Sequence, residues 1–193
     1  MIVNLKLEKN KVYDKLLLLD RDGVILKNVT RYENPNGSAR NVNEMEYFEK
    51  MKEDLELISQ QNVAIVVVTN QPDINRGIIQ TQEIISMNEK LIEDLPIQGV
   101  ICCPHVPEDK CLCRKPNVLM LEHAKSVIQP RDIKALMVGD RISDVQAGTR
   151  ADLDVIHLNL DCSECNPQVK HFMSINDSKS YIVHKFINKK FID

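Results

Sequence analysis

The chain has no surplus of basic charge. Its 25 lysines and arginines face 28 aspartates and glutamates, for a formal net charge of -3 at pH 7. Composition therefore gives nucleic-acid binding no support. Long apolar runs are missing too. Met1 to Lys11 alternate polar and apolar residues and include three lysines and a glutamate, unlike a signal peptide or a membrane span. The expectation is a cytoplasmic protein with no membrane or nucleic-acid partner. Internal repeats, low-complexity tracts and linkers are also absent. With 193 residues, 43% hydrophobic and 27% charged, the chain suits one domain over residues 1–193 with a full core. It is expected to be a monomer.

Cysteine is unusually frequent for a reducing compartment, with six residues. Four lie between Cys102 and Cys113, and two more form Cys162-x-x-Cys165. Such clusters suggest metal before disulfide. Cys103-Pro-His105, then Cys111-Leu-Cys113, offers three sulfurs and one imidazole, a usual structural zinc set. Four protein ligands leave no open coordination position, so such a zinc would be structural. It would fix the loop carrying Arg114 and Lys115. A redox pair or a chance cluster of thiols is the alternative. Cys102 is expected to face the core, and Cys162 and Cys165 to be free loop thiols.

Strands and helices alternate along the chain. Leu16–Asp20, Val63–Val68, Gly99–Cys102, Ala135–Val138 and Asp154–Leu158 read as buried strands. Val3, Leu5 and Leu7 fit a short edge strand. Helices are expected from a cap at Asn43 through Ile58, from a cap at Thr81 through Leu95, over 117–129, after a cap at Ser143, and over Tyr181–Phe191. Residues 27–42 read as a long loop. This order implies a mostly parallel sheet with right-handed crossovers.

Three strands end in polar residues: Asp20-Arg21-Asp22, Thr69-Asn70-Gln71 and Asp140-Arg141. In open α/β sheets ligands bind at such ends. Two clustered carboxylates repel unless a proton or cation intervenes, and a hard divalent cation such as Mg²⁺ resolves this with oxygen ligands. Asp140 would complete the set. A carboxylate can attack phosphorus, and a second can protonate the leaving oxygen and later activate water. Thr69 and Lys115 are candidates to hold the phosphoryl oxygens. Asp-x-Asp followed by glycine also makes ordinary turns. Asp144 reads either as metal support or as a first-turn acid favoured by the helix dipole.

Asp20-Arg21-Asp22-Gly23-Val24, Thr69-Asn70-Gln71, Arg114-Lys115-Pro116 and Gly139-Asp140-Arg141-x-x-Asp144 resemble, in order, the four motifs of the haloacid dehalogenase superfamily of phosphatases. The resemblance implies a Rossmann-like three-layer α/β/α sandwich with a small zinc-binding loop. It implies Asp20 as nucleophile, Asp22 as general acid/base, and phosphoryl binding by Thr69 and Lys115. It puts Mg²⁺ on Asp20, the backbone carbonyl of Asp22, and Asp140. Cys-Pro-His and Cys-x-Cys-Arg-Lys-Pro resemble the zinc-bearing branch, which contains the heptose bisphosphate phosphatases and the histidinol-phosphate phosphatases. Thr69-Asn-Gln-Pro-Asp-Ile-Asn-Arg76-Gly77 is similar to the former; the short zinc spacer is similar to the latter. The expected reaction is hydrolysis of a small phosphorylated substrate, a sugar phosphate first and histidinol phosphate second. A zinc-stabilised, non-catalytic binding protein is the alternative of another class. Asn70, Gln71, Arg76 and Arg114 are the expected substrate contacts, while Arg31 and Arg40 are expected to be merely solvated.

Overall fold

The computed structural model describes residues 1–9, 11–32, 34–128, 133–159 and 169–187. Cys162 and Cys165 lie outside them. Nine strands are described: β1 (Ile2–Leu5), β2 (Lys15–Leu19), β3 (Val29–Arg31), β4 (Asn34–Gly37), β5 (Val63–Asn70), β6 (Gly99–Cys103), β7 (Lys134–Gly139), β8 (Asp154–His157) and β9 (Lys170–His171). The α-helices are α1 (Met51–Ser59), α2 (Thr81–Asp94), α3 (Leu119–Ile128), α4 (Ile142–Arg150) and α5 (Ile175–Ile187).

Seven strands form one sheet in the order β1-β6-β5-β2-β7-β8-β9. Only β1 runs antiparallel to its neighbour. Successive side chains of a strand point to opposite faces, and β2 shows the result. Leu17 and Leu19 join Ile65, Val67 and Val138 under α1 and α5, while Leu16 and Leu18 join Val66, Val68 and Met137 under α3 and α4. The chain is thus a three-layer α/β/α sandwich, and the near-continuous apolar strands reflect burial on both faces. Cys102 is fully buried and packs with Ile84 and Met87 of α2, as expected.

The topology locates the site. From central β2 the chain adds strands on one side (β5, then β6) and later on the other (β7, then β8). The switch point lies where the carboxyl ends of β5, β2 and β7 meet, the crevice in which such sheets bind ligands.

Four local expectations are corrected. The segment 27–42 is not a plain loop, because β3 and β4 pair as an antiparallel hairpin. No α-helix starts at Asn43. Asn41 caps a single 3₁₀ turn over Val42–Glu44, Tyr47 bridges to Leu26, and Lys50 sits at φ 59° before α1 begins. That left-handed residue interrupts helical propagation, although Met45 and Phe48 still pack on the core. Thr81 and Ser143 lie inside α2 and α4 rather than capping them. The last helix begins earlier, at Ile175, and is tied to α1 by Lys179 Nζ and the buried Asp54 carboxylate, 2.7 Å apart.

Candidate active site

Asp20 follows the last residue of β2, its amide donating to Val138 O at 2.9 Å. Its Oδ1 lies 3.0 Å from Lys115 Nζ and accepts the Arg21 amide at 2.8 Å. Lys115 Nζ also reaches Asp144 Oδ1 at 2.6 Å and donates to Val68 O at 2.7 Å. This lysine is buried. Burial pulls its pKa down, but Asp144 and Asp20 outweigh that and raise it. A fixed ammonium therefore stands beside the Asp20 carboxylate, its three hydrogens directed at Asp20, Asp144 and Val68 O and its positive charge favourable to an anionic group nearby.

Thr69 ends the buried part of β5, and its Oγ1 accepts from Gln71 Nε2 at 2.9 Å. With that acceptor site used, the hydroxyl hydrogen is left to donate to a ligand. Gln71 Nε2 also donates to Asp22 Oδ2 at 2.7 Å. Asn70 exchanges two hydrogen bonds with the Lys115 backbone, accepting from its N–H at 3.0 Å and donating to its C=O at 3.1 Å. The two carboxamides expected to touch substrate thus organise the residues around them.

Asp20, Asp140 and Asp144 each place one oxygen within 4.8 Å of the other two. Burial, then the charges of Asp20 and Asp144, push the Asp140 carboxyl up to about 7. Burial pushes Asp20 up to about 6 against the pull of Lys115. Asp140 Oδ1 is buried and has no hydrogen-bond partner among the described residues. Gly23, at φ +82°, leaves room for this group, since a Cβ there would lie 2.1 Å from Asp140 Oδ2. Buried, mutually repelling acids with an orphaned oxygen suit a hard cation. The Asp22 side chain is not part of this acidic group. Its carboxylate turns instead to Arg21 Nη2, at 3.0 Å, and to Gln71. The two acids of the first motif thus share the cavity while their side chains face different partners. Asp22 lies beyond the strand, where alternation no longer holds.

Asp20, Asp22, Thr69, Asn70, Gln71, Arg76, Arg114 and Lys115 all line one cavity of about 260 Å³. Arg141 and the hairpin residues Asn34 and Asn36 line it as well, and were not anticipated. Arg141 Nη2 donates to Asn36 O at 3.3 Å, joining α4's approach to the hairpin. Arg31 and Arg40 are not merely solvated. Arg31 pairs with Glu44 and donates to Ser38 O at 2.9 Å, and Arg40 Nε pairs with Asp73 Oδ2 at 3.0 Å. Both brace the segment that carries the hairpin. No local sequence signal announces these pairings, because their partners come from other turns of the chain.

Beside the cavity, Cys103, His105, Cys111 and Cys113 converge. Cys103 and Cys113 Sγ are 3.3 Å apart, Cys111 Sγ is 3.6 Å from each, and His105 Nδ1 is 3.3 Å from Cys113 Sγ. A tetrahedron of ligands around zinc has edges of roughly 3.5–3.8 Å, so the donor set fits such an ion. Arg114 Nη1 donates to His105 O at 3.0 Å, binding the loop to the arginine that follows it.

The profile of the polynucleotide kinase 3 phosphatase family matches residues 15–188. The chain belongs to that family. It is a phosphatase of the haloacid dehalogenase superfamily. It is 31% identical over 159 residues to D-glycero-alpha-D-manno-heptose-1,7-bisphosphate 7-phosphatase of Photorhabdus laumondii, covering 76% of this chain and 82% of the relative. It is 33% identical over 147 residues to D-glycero-beta-D-manno-heptose-1,7-bisphosphate 7-phosphatase of Helicobacter pylori, covering 72% and 79%. The fold is similar to that of D,D-heptose 1,7-bisphosphate phosphatase from B. bronchiseptica, solved with magnesium and phosphate. The TM-score is 0.76 and the identity 20%, with 89% of this chain and 99% of that one covered. No helix among the described residues is long and apolar enough to cross a membrane.

Proposed function

We propose that this phosphatase hydrolyses a phosphomonoester of a small sugar, D-glycero-D-manno-heptose 1,7-bisphosphate, with Asp20 as nucleophile and Mg²⁺ as cofactor. One observation carries the reading: Asp20, Lys115 and Thr69 face the same cavity as the three arginines Arg76, Arg114 and Arg141. One set suits a phosphoryl group under attack. The other suits a second anionic group on the same molecule. The names of the curated relatives support the choice of sugar.

Asp20 would attack phosphorus and form an aspartyl phosphate, while Asp22 gives a proton to the departing oxygen. Water would then attack the aspartyl phosphate, with Asp22 taking its proton. Lys115 and the Thr69 hydroxyl would hold the phosphoryl oxygens throughout. The Asp20 and Asp140 carboxylates and the Asp22 carbonyl would hold Mg²⁺, which supplies charge neutralisation to the transferring group. Asp144, which pairs with Lys115, would orient the ammonium. Asn70 and Gln71 would hold Lys115, Asp22 and Thr69 in place. Zinc on Cys103, His105, Cys111 and Cys113 would be structural, fixing the loop that leads to Arg114 and Lys115. Thiols held as zinc ligands suit a reducing, cytoplasmic setting.

The test is turnover of both anomers of the heptose bisphosphate with Mg²⁺, beside other sugar phosphates and histidinol phosphate. Asp20→Asn is expected to abolish activity while the circular dichroism spectrum is retained. Normal turnover by Asp20→Asn would falsify the nucleophile assignment. Preference for histidinol phosphate would overturn the sugar.

A further inference from the structure

Arg21 stands between the two acids of the first motif, yet its side chain is fully buried. An arginine is almost never fully buried unless paired. Its Nε lies 3.2 Å from both Asp22 oxygens, and its Nη2 lies 3.2 Å from Oδ1 and 3.0 Å from Oδ2. Two guanidinium nitrogens thus lie within 3.2 Å of both oxygens of one carboxylate, a two-nitrogen contact that the single ammonium of a lysine cannot reproduce. The same Nη2 is 3.3 Å from Ala39 O, just past the hairpin. Nη1 is buried without a hydrogen-bond partner among the described residues.

We infer that Arg21 is a positioning residue for proton transfer to the leaving group, acting through Asp22 and through no contact of its own with substrate. The inference rests on the reading of Asp22 as acid/base. Arg21 is absent from the lining of the cavity, whereas Asp22 is part of it. Asp22 Oδ2 also accepts from Gln71 at 2.7 Å, while Oδ1 has Arg21 as its only contact among the described side chains. Oδ1 is therefore the oxygen that exchanges the proton. In the first step the O–H bond at Asp22 breaks as the phosphorus–oxygen bond of the ester breaks, and the proton goes to the departing oxygen. In the second step the attacking water returns a proton to the same carboxylate. Arg21 keeps this carboxylate in one rotamer, pointed at the departing oxygen. The link to Ala39 joins that rotamer to the seat of the hairpin.

A leaving group's need for a proton separates this role from a merely structural one. The heptose monophosphate released from the bisphosphate departs as an alkoxide and needs the acid. The p-nitrophenolate ion does not. Arg21→Lys is expected to lower kcat/KM on the alkyl ester about 30-fold or more, part of the roughly 100- to 10,000-fold that general acid catalysis supplies, since Asp22 itself remains, and on p-nitrophenyl phosphate less than about 5-fold. A pre-steady-state burst of p-nitrophenolate is expected, since aspartyl-phosphate hydrolysis still needs Asp22. Adding Arg21→Lys to Asp22→Asn is expected to cost less than about 3-fold more on the alkyl ester, as for two groups acting as one unit. Equal losses on both substrates, or full additivity, would overturn the inference. An Asp22→Asn variant that shows no leaving-group dependence would overturn the acid/base reading, and this inference with it. Should Arg21→Lys fail to fold, the Arg21 Nε–H resonance of the wild-type protein reads the contact. It should be protected from solvent exchange and lose that protection in Asp22→Ala, and unchanged protection in Asp22→Ala overturns the inference.

Discussion

Asn70 and Lys115 are clasped by two reciprocal hydrogen bonds, 3.0 and 3.1 Å long, between one carboxamide and the backbone N–H and C=O of one residue. The clasp fastens the segment leaving the cysteine loop to the end of β5. It sets where the Lys115 side chain enters the site. Asn70→Ala removes both bonds and leaves the two backbone groups to find water. Each such bond contributes about 1 kcal/mol to stability, so a loss of roughly 1–2 kcal/mol is expected in denaturant melts. The effect on kcat should be larger than this implies, about 10-fold or more, because Lys115 moves with its backbone.

The cysteine loop approaches the same lysine from the other side. A chelator that removes zinc, or replacement of Cys111 by Ser, should lower activity before the sheet melts, since an ion held by these four side chains would fix the local loop. Hydrogen exchange should rise first at residues 104–115. Metal analysis of the purified protein should find about one zinc per chain, and a result of none with three reactive thiols would remove the metal from the account.

Gly23 and Asp140 make a steric prediction. A methyl group at Gly23 would meet Asp140 Oδ2 at 2.1 Å and would also hold a residue other than glycine at φ +82°. Gly23→Ala should therefore displace Asp140. A rise of about 10-fold or more in the Mg²⁺ concentration needed for half-maximal activity is expected, and an unchanged requirement would argue against Asp140 as a ligand.

Acid titration of the cation site has a definite sign. Burial raises Asp20 from 3.8 to about 6 and Asp140 from 3.8 to about 7 in the metal-free protein. The folded state then holds protons that the unfolded chain has released. This contribution to stability is fully present below the unfolded value of 3.8 and is lost as pH rises through about 6 and 7. A cation bound by these acids would take the place of those protons. The rise in melting temperature caused by Mg²⁺ should accordingly be small at pH ~5 and large at pH ~8. A Mg²⁺ effect that did not grow with pH would contradict the site.

The parts legible in the sequence were those with a local signature. Strand runs such as Leu16–Leu19 and Val63–Val68 are long and apolar, and the structure makes them the centre of the sheet. The cysteine–histidine set is legible from spacing because short loops allow few other arrangements. The hairpin in 27–42 was not legible. Its strands are short, and β4 reads Asn-Pro-Asn-Gly, which resembles a turn. The helix expected from Asn43 failed because apolar spacing at Met45 and Phe48 is helical while the backbone there is held by the Tyr47–Leu26 bridge.

By itself the sequence determined the layered fold and the chemistry gathered at the strand ends, because burial on both sheet faces and polar strand termini are written in consecutive residues. Only the tertiary structure decided which way the acids face. Asp22 turns to Arg21 and Gln71, and Asp144 joins Asp20 and Asp140 around Lys115. A buried charge must take its partner from whichever strand or turn packs against it. That neighbour is set by the order of strands in the sheet, which no single motif contains.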